Sequence, residues 1–223
     1  MSGLGFAPQS TALLVVDLQN DFLHPEGAYG RAGQSSPDIA ALPARVRPVA
    51  DALRAAGGCV VSTQFTLVPG KGGEPIISPH LKKLRPFLGK GDFAPGGWGN
   101  RMVDEMGLAD FTIEKIAYSA FYMMRLEWVL RKTGIETLIV AGIVTNGGVA
   151  STVRNAHVLD FHTIVLEDGC AAFSPEVHAS AIADLSTVSA TSTCAGIQKI
   201  LGSRLSPFGC VMNSSITSGG ALA

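Results

Sequence analysis

Two ionisable side chains stand where apolar runs of this sequence stop. Asp17 follows the run 11–16, and Lys115 lies near the end of the run 110–116. Apolar neighbours desolvate a carboxylate and raise its pKa, which suits it to proton transfer, and a lysine beside it can orient it or bind substrate oxygens. The alternatives are that Asp17 merely caps a turn and that Lys115 is a solvated charge at a sheet edge. Because both runs are predicted strands that end at one sheet edge, we expect Asp17 and Lys115 to act together.

Two further features fall at the same predicted edge. Gln64 follows the apolar run 59–63, and an amide there can orient a polar group of the substrate or a water molecule. Gly147 and Gly148 follow the buried run 136–141 at the start of a helix. Glycines at a helix N-terminus let a substrate oxygen approach backbone N–H groups. Gln64 as an ordinary loop amide and the two glycines as packing or turn residues remain open alternatives.

The elements that must position these residues alternate between strands and helices. A continuous apolar run is typical of a parallel strand buried on both faces, and Ser, Pro and Gly mark the helix ends. The predicted strands are 11–16, 59–63, 110–116, 136–141, 161–166 and a short 187–190, and the predicted helices are 38–56, 121–132, 147–159, 175–186 and 193–201. The alternation predicts an α/β fold, a three-layer α-β-α sandwich around a six-stranded, mostly parallel, Rossmann-like sheet.

The remaining segments set the domain boundaries. Residues 1–203 form the predicted domain, and the Ser/Gly-rich residues 204–223 form a C-terminal tail that is flexible or lies at a subunit interface. Residues 21–36 have loop composition. Residues 67–99 are rich in Gly, Pro and Lys and lack periodicity. A loop of that length inside a compact domain usually forms a lid or shapes the substrate site.

Composition and charge exclude several classes of function. The net charge of −1 gives no electrostatic reason to bind nucleic acid or an acidic membrane. No apolar run reaches the roughly 20 residues that a membrane span needs, and the N-terminus lacks a signal-peptide pattern, so we expect a cytoplasmic protein. Neither GxGxxG nor GxxxxGK(S/T) occurs, and the cysteines and histidines show no metal-ligand spacing. We therefore expect a small-molecule substrate, no cofactor and no metal.

Three segments together resemble the isochorismatase-like hydrolase superfamily: Val16-Asp-Leu-Gln-Asn-Asp-Phe22, Lys115 with Tyr118-Ser-Ala-Phe121, and Gly142-Ile-Val-Thr-Asn-Gly-Gly-Val-Ala-Ser-Thr152. The resemblance covers residues 11–201 and implies a parallel six-stranded sheet between helices. It implies Asp17 as the catalytic acid/base and Lys115 as its partner. It also implies a non-proline cis peptide near Ile143–Val144, which would direct the N–H groups of Val144 and residue 148 at a substrate oxygen. Members tend to form dimers and tetramers, so a homodimer or homotetramer is expected.

The chain departs from most amidohydrolases of this superfamily at one position. Those enzymes place a nucleophilic cysteine where this chain has Gly148, so the covalent thioester route is closed there. The glycine resembles true isochorismatases, which hydrolyse a vinyl ether without a covalent enzyme intermediate. A protonated Asp17 would supply the proton, although a charged Lys115 nearby would oppose the protonated form. Acid-catalysed cleavage of a small carboxylated substrate, such as isochorismate, is therefore the leading hypothesis. An amide or ureide hydrolase that uses Cys170 or an activated water, and a catalytically silent relative, are the alternatives.

Further substrate contacts are expected from the strand ends and from the loop 67–99. The aromatic side chains of this loop either line an apolar pocket or anchor the loop, and its basic side chains either meet substrate carboxylates or form a solvated face. These residues are Phe87, Phe93 and Trp98, and Lys82, Lys83 and Arg85. The expected substrate-binding residues are Phe22, Trp98, Tyr118, Phe121, Val144 and Gly147.

Overall fold

The computed structural model describes residues 4–34 and 36–205. Six parallel strands form one sheet in the order β3-β2-β1-β4-β5-β6. The strands are β1 Thr11–Val16, β2 Cys59–Phe65, β3 Phe111–Lys115, β4 Thr137–Ile143, β5 His162–Ala171 and β6 Ala190–Ser192. The predicted α/β class and the parallel six-stranded sheet are therefore confirmed.

Helices cover both faces of this sheet. They are α1 Asn20–Leu23, α2 Ala28–Arg31, α3 Pro37–Ala40, α4 Leu42–Ala55, α5 Pro79–Leu84, α6 Leu126–Lys132, α7 Ala150–Val158, α8 Pro175–Leu185 and α9 Cys194–Leu205, with 3-10 turns at Pro8–Ser10 and Asp104–Met106 and a π-helical turn at Thr145–Val149. Helices α4 and α9 pack on one face, and α6 and α7 pack on the other. Within the described ranges, no helix is both long and apolar enough to cross a membrane.

Strand β1 lies at the centre of the sheet, between β2 and β4. Its six residues are all buried, because helices cover both of its faces. Leu13 and Val15 point towards α4, whereas Leu14 and Val16 point towards α6 and α7. Each of these side chains contributes roughly 1.5–3 kcal/mol through burial. The carboxyl end of β1, where Asp17 follows, is thus held firmly in the sheet.

A smaller apolar cluster covers the carboxyl edge of the sheet. Its buried members are Ala28, Tyr29, Leu67, Leu88 and Phe93. The ring of Phe22 packs 4.5 Å from that of Phe93 and 4.8 Å from that of Tyr29, centroid to centroid. These contacts order the segment 67–99, which therefore covers the strand ends.

Two polar side chains after β1 hold this covering segment through its backbone. Asp21 is 3% exposed, and its two carboxylate oxygens accept hydrogen bonds from the N–H groups of Ala28 (3.0 Å) and Phe93 (2.6 Å). The amide of Gln19 donates to the carbonyl groups of Phe65 (3.0 Å) and Asn100 (2.8 Å) and accepts from the N–H of Phe65 (2.8 Å). Buried polar groups need such partners, and here they fix the loop to the sheet.

The structure corrects two of the predicted helices. The helix predicted at 121–132 begins at Leu126, because the preceding residues form turns. In these turns Met123 has a positive φ of 56°, and the N–H of Ala120 donates to the hydroxyl of Thr152 at 3.1 Å. The helix predicted at 38–56 is divided into α3 and α4. Pro43 lacks the N–H group that would continue the first of these two helices.

Three further boundaries differ from the prediction. The segment 67–99 contains α5, whose N-cap Ser78 accepts a hydrogen bond from the N–H of Leu81 at 3.1 Å. Strand β5 continues to Ala171 past an irregularity in its pairing with β4. Strand β6 lies at Ala190–Ser192, later than the predicted 187–190. The predicted tail lies mostly outside the described residues, since 206–223 are not among them.

Candidate active site

The carboxylate of Asp17 lies at the end of the central strand. Asp17 has a φ of 57°, in the left-handed region that aspartate tolerates better than most residues. Its N–H donates to the carbonyl of Thr63 at 3.3 Å, which ties the turn to β2. The residue is 3% exposed. Strand β1 therefore ends in a backbone turn that fixes a buried carboxylate beside the neighbouring strand.

Lys115 forms a buried ion pair with Asp17. Its Nζ lies 2.7 Å from Oδ2 of Asp17, and the side chains of Lys115 and Asp17 are 1% and 5% exposed. Nζ also donates to the carbonyl of Ala117 at 2.9 Å and lies 5.1 Å from the centre of the Phe65 ring. The lysine ammonium is thus held against the carboxylate by a carbonyl and by the negative face of an aromatic ring.

Burial raises the pKa of Asp17 above its ordinary value, against the opposing effects of Lys115 and of the Thr63 hydroxyl. That hydroxyl donates to Oδ1 of Asp17 at 2.9 Å. Oδ1 and Oδ2 are therefore bonded to different partners, and the carboxylate is fixed in orientation. A desolvated acid with a raised pKa and a charged neighbour is typical of a proton-transfer group.

The turn between β4 and α7 brings a glycine against this carboxylate. A Cβ atom on Gly148 would lie 3.2 Å from Oδ2 of Asp17, 3.0 Å from the carbonyl oxygen of Ile143 and 3.4 Å from Cγ1 of Val16. The peptide bond Ile143–Val144 is cis, as the resemblance to isochorismatase-like hydrolases implied. The hydroxyl of Thr145 lies 2.8 Å from Nδ1 of His178 on α8, which anchors the turn.

A cavity opens over the Asp17–Lys115 pair. It is mostly apolar, and the charged groups that it exposes are Asp17, Lys115 and Arg85. Its full lining is Asp17, Phe22, Tyr29, Phe65, Leu81, Leu84, Arg85, Leu88, Lys115, Tyr118, Val144, Gly148 and Phe173. An apolar cavity with a few convergent polar groups and a carboxyl group of perturbed pKa is typical of an active site.

The isochorismatase domain model matches residues 11–196 of the chain. The chain belongs to the isochorismatase family. Ureidoacrylate amidohydrolase RutB of Pantoea ananatis (strain LMG 20103) is 35% identical over 184 residues, which are 78% of this chain and 74% of that protein. RutB of Enterobacter sp. (strain 638) is 34% identical over 182 residues, or 77% of this chain and 79% of that protein.

A crystal structure with the same fold is that of a cysteine hydrolase from Pseudomonas syringae pv. phaseolicola 1448A. The TM-score is 0.76 at 24% identity, and the match covers 91% of this chain and 99% of that chain. The superfamily resemblance read from the three sequence motifs is therefore confirmed. The chain is an isochorismatase-family hydrolase.

The structure of this isochorismatase-family hydrolase brings most of the predicted site residues together. Besides Asp17, Lys115 and Gly148, three of the residues expected to bind substrate line the cavity: Phe22, Tyr118 and Val144. These residues come from the ends of β1, β3 and β4, the strand ends that the sequence placed at one edge. Their roles in binding or catalysis stay predictions.

Four other predicted site residues lie outside the cavity lining. Gln64 lies within β2, between Thr63 and Phe65, so its side chain points to the opposite face of the sheet. Phe121 packs against the core on the α6 and α7 face of the sheet, with its ring centroid 5.8 Å from that of Phe161. Trp98 is 44% exposed and forms an edge contact with His24, 4.9 Å between ring centroids. The N–H of Gly147 donates to the carbonyl of Val144 at 2.9 Å, within the turn.

Other residues of the cavity were not expected from the sequence. The periodicity of β2 carries a signal for Phe65, because it lies two residues after Thr63, the hydrogen-bond partner of Asp17, and residues two apart in a strand share a face. For Tyr29 on the short helix α2 and for Phe173 in the loop after β5, the sequence holds no local signal. Arg85 was one of several basic residues in the long loop, and the structure places it, rather than Lys82 or Lys83, in the lining.

The described thiols lie away from the cavity lining. Cys170 follows the predicted strand 161–166, but the observed β5 extends through it, and its Sγ donates to the carbonyl of Val140 at 3.7 Å. Burial raises the pKa of Cys170, so the thiol stays protonated at neutral pH. Burial also raises the pKa of Cys194 to about 12 and that of Cys59 to about 11. Among the described residues, no group of three or more His, Cys, Asp and Glu side chains is arranged to hold a metal ion.

Proposed function

We propose that this isochorismatase-family hydrolase cleaves a C–N bond in a small carboxylated amide or ureide, with water as the direct nucleophile. The choice of bond is supported by the curated relatives, which are ureidoacrylate amidohydrolases at 35% and 34% identity. The observation that carries the proposal is the buried Asp17–Lys115 pair, which faces the cavity beside a residue with no side chain, Gly148.

The chemistry of the cavity lining supports water as the nucleophile. A thioester or ester route requires a thiolate or alkoxide next to its base, within about 2.6–3.2 Å. At Gly148 the chain offers neither, and the described thiols are outside the lining. Oδ2 of Asp17 is the oxygen that a Cβ at position 148 would meet, so it is the oxygen that a molecule in the cavity can reach past the glycine.

Asp17 acts first as a general base and then as a general acid. It takes one proton from the water molecule, while the water oxygen forms a bond to the substrate carbonyl carbon. The carbonyl oxygen gains the negative charge and receives hydrogen bonds from the N–H groups of Val144 and Gly148, both in the cavity lining. Asp17 then returns the proton to the leaving nitrogen as the C–N bond breaks, which gives an acid and an amine. General acid–base catalysis of this kind contributes about 10²–10⁴-fold.

Lys115 stabilises the charged form of Asp17 during the first step. Its Nζ lies 2.7 Å from the reacting carboxylate oxygen, and both side chains are almost fully buried. An opposite charge at that distance offsets part of the effect of burial on the carboxyl pKa. Lys115 thereby favours the ionised form of Asp17, which is the form that can accept a proton.

A vinyl ether of the isochorismate type is the second candidate, and the raised pKa of Asp17 favours it. A protonated Asp17 would transfer its proton to the terminal carbon of the vinyl group, and water would add to the resulting oxocarbenium ion. The hemiketal would then release a ketone and an alcohol. This was the leading hypothesis from the sequence, and the curated relatives support the amide or ureide more strongly.

A substrate panel with two product assays separates these candidates. Purified protein is incubated with 3-ureidoacrylate, N-carbamoyl-β-alanine, nicotinamide and isochorismate, and both ammonia and pyruvate are measured. We expect ammonia from a ureide or amide substrate, its loss in Asp17→Asn, and unchanged release in Glu114→Gln, which alters an exposed carboxylate next to Lys115 on β3. Pyruvate without ammonia would contradict the C–N proposal in favour of the second candidate, and an inert protein would contradict both. An acyl-enzyme seen by intact-protein mass spectrometry would contradict direct attack by water.

A further inference from the structure

We propose that Arg85 and the hydroxyl of Tyr29 bind the carboxylate of the substrate and make the enzyme select acids over the corresponding amides. This inference rests on the proposed function for the identity of the site, but it concerns the other end of the ligand. Arg85 is the C-terminal cap of α5, and Tyr29 lies on α2. Both residues line the cavity that contains Asp17.

The guanidinium of Arg85 is held in place by neutral groups. Its Nε donates to the Tyr29 hydroxyl at 3.0 Å, and one Nη donates to the carbonyl of Leu84 at 2.9 Å. Its Cζ lies 5.8 Å from the ring centres of both Tyr29 and Phe173, and these two rings stack on each other at 5.5 Å. The side chain is therefore oriented before a ligand binds, and some of its guanidinium N–H groups stay available to donate to that ligand.

The positive charge of Arg85 is not neutralised by another charged group of the cavity. Asp17 and Lys115 neutralise each other at 2.7 Å. Arg85 is the other charged residue of the lining, and among the described residues it takes part in no salt bridge. A mostly apolar cavity with one excess positive charge favours a monoanion, and a guanidinium presents the geometry that a carboxylate matches with two hydrogen bonds.

Tyr29 adds a second donor. Its hydroxyl oxygen already accepts from Arg85, so its own proton is free to be donated to an anion. Burial raises the pKa of Tyr29, which keeps this proton in place near neutral pH. The hydroxyl and the guanidinium therefore form one anion-binding group on the side of the cavity that α2 and α5 supply.

The positions of the charged groups define the class of substrate. The reactive carbonyl must lie at Asp17, and the carboxylate at Arg85, while aromatic and aliphatic side chains such as Phe22, Phe65 and Leu88 line the space between. A short, apolar or unsaturated spacer between the reactive carbonyl and the carboxylate of the substrate fits this apolar lining, because such a spacer needs no hydrogen-bond partner there. The substrate is thus a small monocarboxylic acid whose amide or ureide group is separated from the carboxylate by a spacer without polar groups.

Binding of crotonate and of crotonamide tests this inference without any turnover. The two probes share a short unsaturated spacer and differ in charge, and their dissociation constants are measured by ligand-observed NMR titration. We expect the wild-type protein to bind crotonate more tightly than crotonamide. In Arg85→Gln the crotonate affinity should fall about 10- to 100-fold, the loss expected for a charged hydrogen-bonded pair, with crotonamide unchanged. Lys83→Gln, an exposed charge on the same helix, should leave both affinities unchanged.

Two variants keep the test decisive if Arg85→Gln does not fold. Arg85→Lys keeps the positive charge but loses the planar guanidinium that can donate two parallel hydrogen bonds. Tyr29→Phe removes one hydroxyl donor. Each variant should reduce the preference for crotonate while the affinity for crotonamide stays unchanged. A wild-type protein without a preference for crotonate, or folded variants that retain the full preference, overturn the inference. A preference that depends on Arg85 in a protein that releases no ammonia supports the inference and contradicts the C–N proposal. Ammonia release by a protein whose preference for crotonate does not depend on Arg85 supports the C–N proposal and contradicts this inference.

Discussion

A Cβ atom at position 148 would lie 3.2 Å from Oδ2 of Asp17. The position is thus in contact with the one carboxylate oxygen that also meets Lys115. In relatives that use a cysteine nucleophile, the thiol occupies this position according to the sequence resemblance. Here the glycine leaves that carboxylate oxygen open to the cavity, and the identity of residue 148 decides what the carboxylate can contact.

We expect Gly148→Ala to lower kcat/KM about 100-fold while the protein stays folded, since a displacement of about 1 Å at a reacting group costs that much. The added methyl would come within 3.0 Å of the Ile143 carbonyl and would displace a molecule next to Asp17. Steady-state kinetics and thermal unfolding measure the two effects. Gly72→Ala is the control, because a Cβ at Gly72 would meet nothing within 4 Å. Full activity in Gly148→Ala would contradict the proposed position of the water.

Alkylation of thiols should leave the wild-type activity unchanged. Cys170 and Cys194 are buried, and burial raises the pKa of each, so neither thiol is reactive. Treatment with N-ethylmaleimide followed by an ammonia assay measures this. In Gly148→Cys the same treatment should modify the new thiol next to Asp17, as peptide mass spectrometry would detect. A wild-type enzyme that N-ethylmaleimide inactivates would instead indicate that a thiol takes part in the reaction.

The pH dependence of kcat/KM should reveal the role of Asp17. Burial raises its pKa above 3.8, so the carboxylate form is lost at a higher pH than for an ordinary aspartate. For a general base, kcat/KM increases with pH through that raised pKa and then levels off. Measurements from about pH 4 to about pH 9 test this. A profile that decreases through the same pKa would indicate the acid form and support vinyl ether cleavage.

Removal of Lys115 should destabilise the protein strongly. Lys115→Met leaves the carboxylate of Asp17 buried without its partner, which costs about 3–5 kcal/mol of unfolding free energy. Urea denaturation measures this, with Lys132→Met on the exposed end of α6 as the control. The double variant Asp17→Asn/Lys115→Met should be more stable than Lys115→Met. If both had the same stability, the unpaired charge would not be the cause of the loss.

We expect the protonation of Asp21 to make the unfolding free energy of the protein depend on pH. Burial raises its folded-state pKa above 3.8, against the effect of its hydrogen bonds to the N–H groups of Phe93 and Ala28. The folded protein then binds this proton more tightly than the unfolded chain does. The contribution of Asp21 to the unfolding free energy is therefore largest below pH 3.8 and is lost as the pH rises through the folded-state pKa.

Urea denaturation of the wild-type protein and of Asp21→Asn over this range measures the effect. The wild-type stability relative to that of the variant should decrease with increasing pH and then stay constant. A relative stability that increases instead would show that the two N–H groups outweigh burial at this carboxyl.

The strands and the acid–amine pair could be predicted from the sequence because local patterns specify them. Strand β1 is apolar along its whole length, and its end places Asp17 without any knowledge of distant contacts. The same holds for Lys115 on β3. Since parallel strands end at one edge, two local predictions were enough to place the pair.

The errors arose where a local pattern was misread or where no local pattern exists. Strand β2 continues to Phe65, two residues beyond the predicted end. Gln64 is therefore inside the strand, where alternate side chains point to opposite faces, and its side chain does not face the cavity. Phe121 was placed on a helix that begins later, at Leu126. Arg85 and Tyr29 meet through contacts between distant segments, and their hydrogen bond leaves no trace in the spacing of residues.

Asp21 accepts from the backbone N–H of Phe93, and Gln19 donates to the backbone carbonyl of Asn100, so this part of the attachment of the covering segment does not depend on the side chains that face the ligand. Leu84 lines the cavity and is 46% exposed, so it can change in size without loosening the scaffold that holds the proton-transfer pair. Ligand preference and chemical step are thus encoded by separate sets of residues. Substitutions in the covering segment are therefore a way to change which ligand is accepted while the reacting pair stays unaltered.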